Sequence, residues 1–202
     1  MSFIKTTTLM FLFATLSLFG GNSIKLPKSK PIAVISQNES LIKNCYIAIA
    51  YSYYKHKNLT IYEKLNANAL SFTLGYEFNN YFAIELRYLK SKNIDYKSLT
   101  QNKKIRSKFS NLSLFSKITY PIREFKPYIL IGYGKNKITN LANYDRVEYS
   151  FEYGGGFEYK INQKVSLFTD YTRVYNKRGF DGRAKQDKQK INLITTGLIY
   201  RF

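Results

Sequence analysis

A single histidine, His56, stands between Lys55 and Lys57. It is the only side chain of the sequence that ordinarily titrates near neutral pH. Paired with a serine it could drive acyl transfer, and Ser52 and Ser107 are conceivable nucleophiles. Such a reaction needs base, nucleophile and orienting acid within hydrogen-bond reach. The flanking lysines read instead as an exposed loop, so His56 is expected to be a solvated loop residue and the protein not to be an enzyme. One histidine and one cysteine cannot supply a His/Cys metal site, and no metal or other cofactor is expected. Cys45, alone, can form no intrachain disulfide. Eight further charged residues stand at informative positions: Glu77, Glu85, Arg87, Lys117, Glu152, Glu158, Asp170 and Arg201 each alternate with bulky apolar residues. Paired glutamates could imitate a glycosidase acid pair. A set that holds both signs fits a structural ion network better.

The elements that must position these residues have period two, the mark of strands with two different faces. The alternation predicts strands near 45–54, 68–78, 81–91, 107–120, 126–137, 148–160, 164–175 and 190–202. Each reaches or exceeds the roughly 9–11 residues that a tilted strand needs to cross a bilayer. In the second, Leu70, Phe72, Leu74, Tyr76 and Phe78 share one face and Ser71, Thr73, Gly75 and Glu77 the other. In the third, Phe82, Ile84, Leu86 and Tyr88 oppose Ala83, Glu85 and Arg87. The connections alternate in length. Asn79-Asn80, Pro121 to Phe125 and Ile161 to Gln163 are short, whereas 55–67, 92–106, 138–147 and 176–189 are long. Short turns at one end and long loops at the other describe an eight-stranded antiparallel up-and-down transmembrane β-barrel, both of whose termini lie at the short-turn end.

In a narrow barrel of eight strands the lumen holds only the barrel's own side chains. The face opposite the bulky residues is small or charged, so it is expected to point inward and the bulky face to meet lipid. The eight charges named above then form a lumen ion network, because buried charges must be paired or hydrated. Phe115 and Phe168 point inward beside them, and no continuous pore is expected. Ser116, Thr169 and Thr196 would have to face lipid. Tyr and Phe gather near both strand ends, where amphipathic rings favour the membrane interface. A water-soluble ligand-binding barrel would require the opposite facing.

The formal net charge is +19. A strongly basic chain suggests nucleic acid, an anionic membrane or another polyanion. No zinc-finger spacing and no basic region followed by heptads supports nucleic acid. Lys55, Lys57, Lys64, Lys92, Lys97, Lys103, Lys104, Arg106, Lys177, Arg178, Arg183, Lys185, Lys188 and Lys190 gather in or beside the four long connections. There they would meet the phosphates of lipopolysaccharide, or a surface polyanion or host ligand. Residues 1–23 read as a cleaved signal peptide, with Lys5 ahead of an apolar stretch from Leu9 to Phe19 and small residues after it. Residues 24–44, with Pro27 and Pro31, read as a periplasmic-side linker. The barrel occupies 45–202.

The closing run Leu198-Ile199-Tyr200-Arg201-Phe202 resembles the assembly signal of outer-membrane barrel proteins. Tyr81 to Tyr88, Lys126 to Gly134 and Gly155 to Tyr159 are similar to stretches of the small outer-membrane barrel family, which includes the OmpA membrane domain, OmpX and the opacity proteins. The resemblance spans roughly residues 45 to 202. It implies a place in the cell outer membrane of a Gram-negative bacterium and contact with its lipid and lipopolysaccharide. It also implies delivery by the barrel-assembly machinery through Leu198, Tyr200 and Phe202. The resemblance ends with the last strand, so no peptidoglycan-binding domain is expected. The implied role is structural or surface-interacting, adhesin-like and without a large open pore. Some barrels of this architecture are lipid A-modifying enzymes, which makes such an enzyme one alternative; a small porin-like channel is another.

Overall fold

The computed structural model describes residues 41–57, 65–97, 104–141, 144–178, 180 and 189–202. The expected signal peptide, residues 1–23, and all but the end of the expected 24–44 linker lie outside them; Leu41–Asn44 forms one 3-10 turn. The strands are β1 Cys45–Lys57, β2 Leu65–Glu77, β3 Phe82–Ser91, β4 Ile94–Lys97, β5 Lys104–Thr119, β6 Phe125–Leu141, β7 Tyr144–Lys160, β8 Val165–Lys177 and β9 Gln189–Arg201. All the pairings are antiparallel. β1 pairs with both β2 and β9, and β3 pairs with β5, which closes the sheet into a barrel. β4 continues β3 along β5 after a break at Lys92 and Asn93. The wall therefore has eight staves.

Facing follows the alternation. Along β1, burial alternates residue by residue from Tyr46 through His56. Ile49 is 65% and Leu70 61% exposed, whereas Glu85 is 1% and Glu152 0%. A surface so apolar is unstable in water and stable against hydrocarbon, so the water-soluble alternative is excluded. Among the described residues no helix is long and apolar enough to cross a membrane; this chain crosses with strands. On the lipid face the Thr169 and Thr196 hydroxyls bond each other at 3.0 Å across β8 and β9, which offsets the cost of holding hydroxyls against hydrocarbon.

The short turns carry their own chemistry. The Asn79 side-chain oxygen accepts from the Tyr81 and Phe82 amides at 2.8 and 2.9 Å, and Asn162 does the same for Lys164 and Val165. Both are Asx turns, which satisfy backbone donors that the ladder leaves open. Between β5 and β6, Ile122 and Phe125 exchange two backbone bonds around Arg123, whose φ of 55° is left-handed.

At the other end the strands run further than the alternation predicts. β6 and β7 have 17 residues each, and the expected long loop 138–147 shrinks to the two positions between Leu141 and Tyr144. Lys137 and Asp145 pair at 2.8 Å along this extension. A second correction concerns His56, which is no loop residue: β1 continues through Lys57 and turns the His56 side chain into the lumen, fully buried. The reason is common to both. Beyond the hydrocarbon the contrast between the faces fades: on β1 the outward Lys55 and Lys57 conceal a period of two that continues beneath them, and on the β6–β7 extension the outward Thr139, Asp145 and Val147 mix polar and apolar types.

Candidate functional site

The lumen is layered. Nearest the short turns, Arg201 on β9 reaches Glu77 of β2 at 2.9 Å and Glu158 of β7 at 2.7 Å. Lys117 on β5 sits 3.4 Å from Glu158 and 3.2 Å from Glu85. Arg87 joins Glu85 at 2.6 Å to Asp170 at 2.8 Å. Seven of the eight charges named from the sequence thus form one chain of ion pairs contributed by β2, β3, β5, β7, β8 and β9. The Tyr46 hydroxyl donates to Glu85, and that of Tyr128 donates to Asp170 at 3.0 Å. Phe115 and Phe168 flank the Arg87 guanidinium at 5.4 and 5.9 Å, and Lys117 lies 4.3 Å from the Tyr128 ring centre. Arginine suits position 87 because a planar fork can serve two carboxylates at once.

The eighth charge, Glu152, stands apart. It accepts from Ser113 Oγ at 2.6 Å and from the Asn111 and Asn136 amides at 2.8 and 3.3 Å. Asn136 also donates to Ser150 and to the Val174 carbonyl. Gly134 gives this cluster room: a Cβ there would overlap the Glu152 carboxyl and Ser113 Oγ. A cavity of about 20 Å³ lies between the layers, lined by Arg87, Asn111, Phe115 and Thr172 among others, which is space for about one water.

Toward the outside the lumen is filled by an apolar layer that includes Tyr54, Leu89, Ile94, Phe109, Ile138, Tyr175, Phe180 and Ile191. His56 lies in it. Its Nδ1 is 3.2 Å from the Tyr54 hydroxyl, and its ring meets that of Phe180 edge-on at 6.0 Å. Ser52 is bonded to Thr195 at 2.9 Å. It stands four residues from His56 on the same strand, ~13 Å away at the usual rise, beyond hydrogen-bond reach.

The outward face has a different logic. Tyr51, Tyr53, Tyr88, Tyr133, Tyr149 and Tyr171 form the outer girdle. The next outward positions are Lys55 and Lys57 on β1, Lys90 on β3, Arg106 and Lys108 on β5, Lys135 and Lys137 on β6, Arg173 on β8 and Lys190 on β9. Arg173 is held by Asn192 at 3.0 Å and by the hydroxyls of Tyr153 and Tyr171, both at 3.3 Å. Lys64, Lys103, Arg183, Lys185 and Lys188 lie outside the described residues. Leu198, Tyr200 and Phe202 face outward at the short-turn end, where the Phe202 amide donates to the Cys45 carbonyl at 3.3 Å.

Tyr46, Tyr128, Asn111, Asn136 and Arg173 are missing from the sequence-based set. The first four obey the period of two, each standing two residues from a buried inward position: Tyr46 from Ala48, Tyr128 from Leu130, Asn111 from Ser113 and Asn136 from Gly134. No local signal marks Arg173, whose setting combines Tyr171 of its own strand with Tyr153 on β7 and Asn192 on β9.

A hydrocarbon-facing wall around an ionic and apolar interior defines a transmembrane β-barrel. Residues 33–202 match the outer membrane protein β-barrel domain, and the chain belongs to that family and to the outer membrane. Neisserial surface protein A is 15% identical with a TM-score of 0.60, covering 79% of this chain and 97% of that one. Ail, the attachment invasion locus protein of Yersinia pestis, is 21% identical with a TM-score of 0.53, covering 78% and 97%. Another structure of Ail holds the heparin analogue sucrose octasulfate; it is 22% identical with a TM-score of 0.54, covering 78% and 97%. OprG of Pseudomonas aeruginosa is 12% identical with a TM-score of 0.52, covering 79% and 96%. Comparison with curated protein sequences finds no match.

Proposed function

We propose that this barrel is a surface-interaction protein whose outer rim pairs with the phosphates of lipopolysaccharide. In this reading the leader directs export, the barrel-assembly machinery reads Leu198, Tyr200 and Phe202, and the lumen ion network serves stability rather than transport. The supporting observation is the placement of cations just beyond the tyrosine girdle on six of the eight staves. Cations at that depth meet headgroup phosphates through charge-assisted hydrogen bonds. Replacing Lys108, Lys135 and Lys137 together by glutamine is expected to weaken lipopolysaccharide binding roughly tenfold in low salt, with the gap narrowing as salt rises. Titration of fluorescent lipopolysaccharide into proteoliposomes measures this, and equal affinities would defeat the proposal.

The same rim would accept a sulfated surface polyanion, a role supported by the likeness in fold to Ail, which was crystallised with such a molecule. The lipid A enzyme has weaker support. His56 is enclosed by Tyr54 and Phe180 inside the lumen, away from the acyl chains it would have to act on. His56→Ala is therefore expected to leave the lipid A acylation pattern of the host membrane unchanged by mass spectrometry. A lost or gained acyl form that tracks the substitution would restore the enzyme. A porin-like channel would need a path through both the apolar layer and the ion pairs.

A further inference from the structure

We propose that the lipid-facing wall of β1, β2 and β3 carries a specific site for lipid A, one acyl chain lying in a groove and a phosphate held by Lys90 and Lys92. The inference rests on the lipopolysaccharide reading and deepens it from a diffuse rim to one bound molecule. The groove has a volume of about 510 Å³, and its apolar lining is Ile49, Leu70, Phe72 and Tyr88. The two lysines close its outer end. In register, Phe72 stands opposite Tyr88 and Leu70 opposite Lys90, so the lining changes from hydrocarbon to ammonium within one step along the wall. That step is where the outer girdle places the boundary between chains and headgroups.

The backbone accounts for the opening. β3 stops at Ser91; the Lys92 amide donates to the Asn68 carbonyl at 2.8 Å, and Ser91 Oγ donates to the Lys92 carbonyl at 2.8 Å. The stave breaks here before resuming as β4, and Lys92 is presented at the surface beside Lys90. An apolar cleft alone would take any acyl chain. Two ammonium groups at its outer end select a chain attached to an anionic headgroup, and their position on the outer side selects the phosphorylated lipid of the outer leaflet.

The test uses the whole folded protein in phosphatidylcholine nanodiscs doped with either lipid A or phosphatidylglycerol, with retained lipid counted by native mass spectrometry. Heat-modifiable gel migration confirms that each variant has folded. The wild type is expected to retain lipid A in preference to phosphatidylglycerol. Lys90→Gln with Lys92→Gln is expected to lower that retention roughly tenfold, as the loss of a charge-assisted contact would. Leu70→Trp keeps every charge and fills the groove, and a comparable loss is expected. Equal retention by both variants and the wild type overturns the site. So does a loss confined to the lysine variant, which would leave the rim reading standing without a groove. Equal retention of the two lipids by the wild type overturns lipid A as the occupant. If the Lys108, Lys135 and Lys137 replacement has also left lipopolysaccharide affinity unchanged, the broader reading falls as well.

Discussion

Arg87→Leu is expected to destabilise the barrel by about 3–5 kcal/mol, the usual cost of removing one partner from a buried ion pair. The guanidinium serves Glu85 and Asp170 together, and both carboxylates are buried. Without it Asp170 keeps, among the described residues, the hydroxyl donors Tyr128 and Thr172, while Glu85 keeps Tyr46 and Lys117. Folding into lipid vesicles followed by denaturant titration gives the difference. Adding Glu85→Gln and Asp170→Asn to the same variant is expected to recover most of the loss, because no charge is then stranded and Lys117 retains Glu158. A variant as stable as the wild type would mean that water, rather than arginine, neutralises these carboxylates.

Leu86→Arg is expected to cost about 2–4 kcal/mol, the penalty for a cation facing lipid near the bilayer midplane. Leu86 lies on the outward face of β3, in register with Leu74 on β2 and Leu114 on β5. Its neighbourhood is therefore aliphatic on both sides. Depth makes the prediction sharper. Tyr88→Arg, one outward position nearer the interface, is expected to cost only about 0–1 kcal/mol for its charge by the same rule. Equal losses at 86 and 88 would contradict the membrane depth assigned to this strand. No loss at either would contradict the outward facing itself.

What could be read in advance follows from which solvent each residue meets. Across the hydrocarbon, apolar residues are forced outward and small or charged residues inward. The period of two in Leu70 to Phe78 and Phe82 to Tyr88 therefore shows both the strands and their facing. Outside the hydrocarbon that contrast disappears. Lysine is acceptable on the outer face there, and Tyr54, Phe109 and Ile138 are acceptable on the inner one, so His56 looked like part of a loop although it lines the lumen. The long hairpin of β6 and β7 was hidden for the same reason. In the lumen, the signs of the charges were legible but not their partners. Alternation places Glu152 on the same face as Glu158, and only the closed geometry surrounds one with amides and hydroxyls and the other with cations. Tyr46 is the inward member of the β1 alternation closest to the short turns, where no neighbouring charge in the sequence marks it. It fits because Gly75 on the neighbouring strand has no Cβ in its way.

The contact of Arg201 with both Glu77 and Glu158 bears on how this sheet enters a bilayer. Those three side chains come from β9, β2 and β7 and can meet only when the first and last staves have joined. A sheet inserted but still open would hold ionised groups against hydrocarbon without their counter-charges, at a cost of several kcal/mol for each. Partly assembled forms are disfavoured by that cost, and zippering of the seam between β1 and β9 relieves it at a stroke. Insertion is thereby made close to all-or-none, with the pairing of charges acting as the latch.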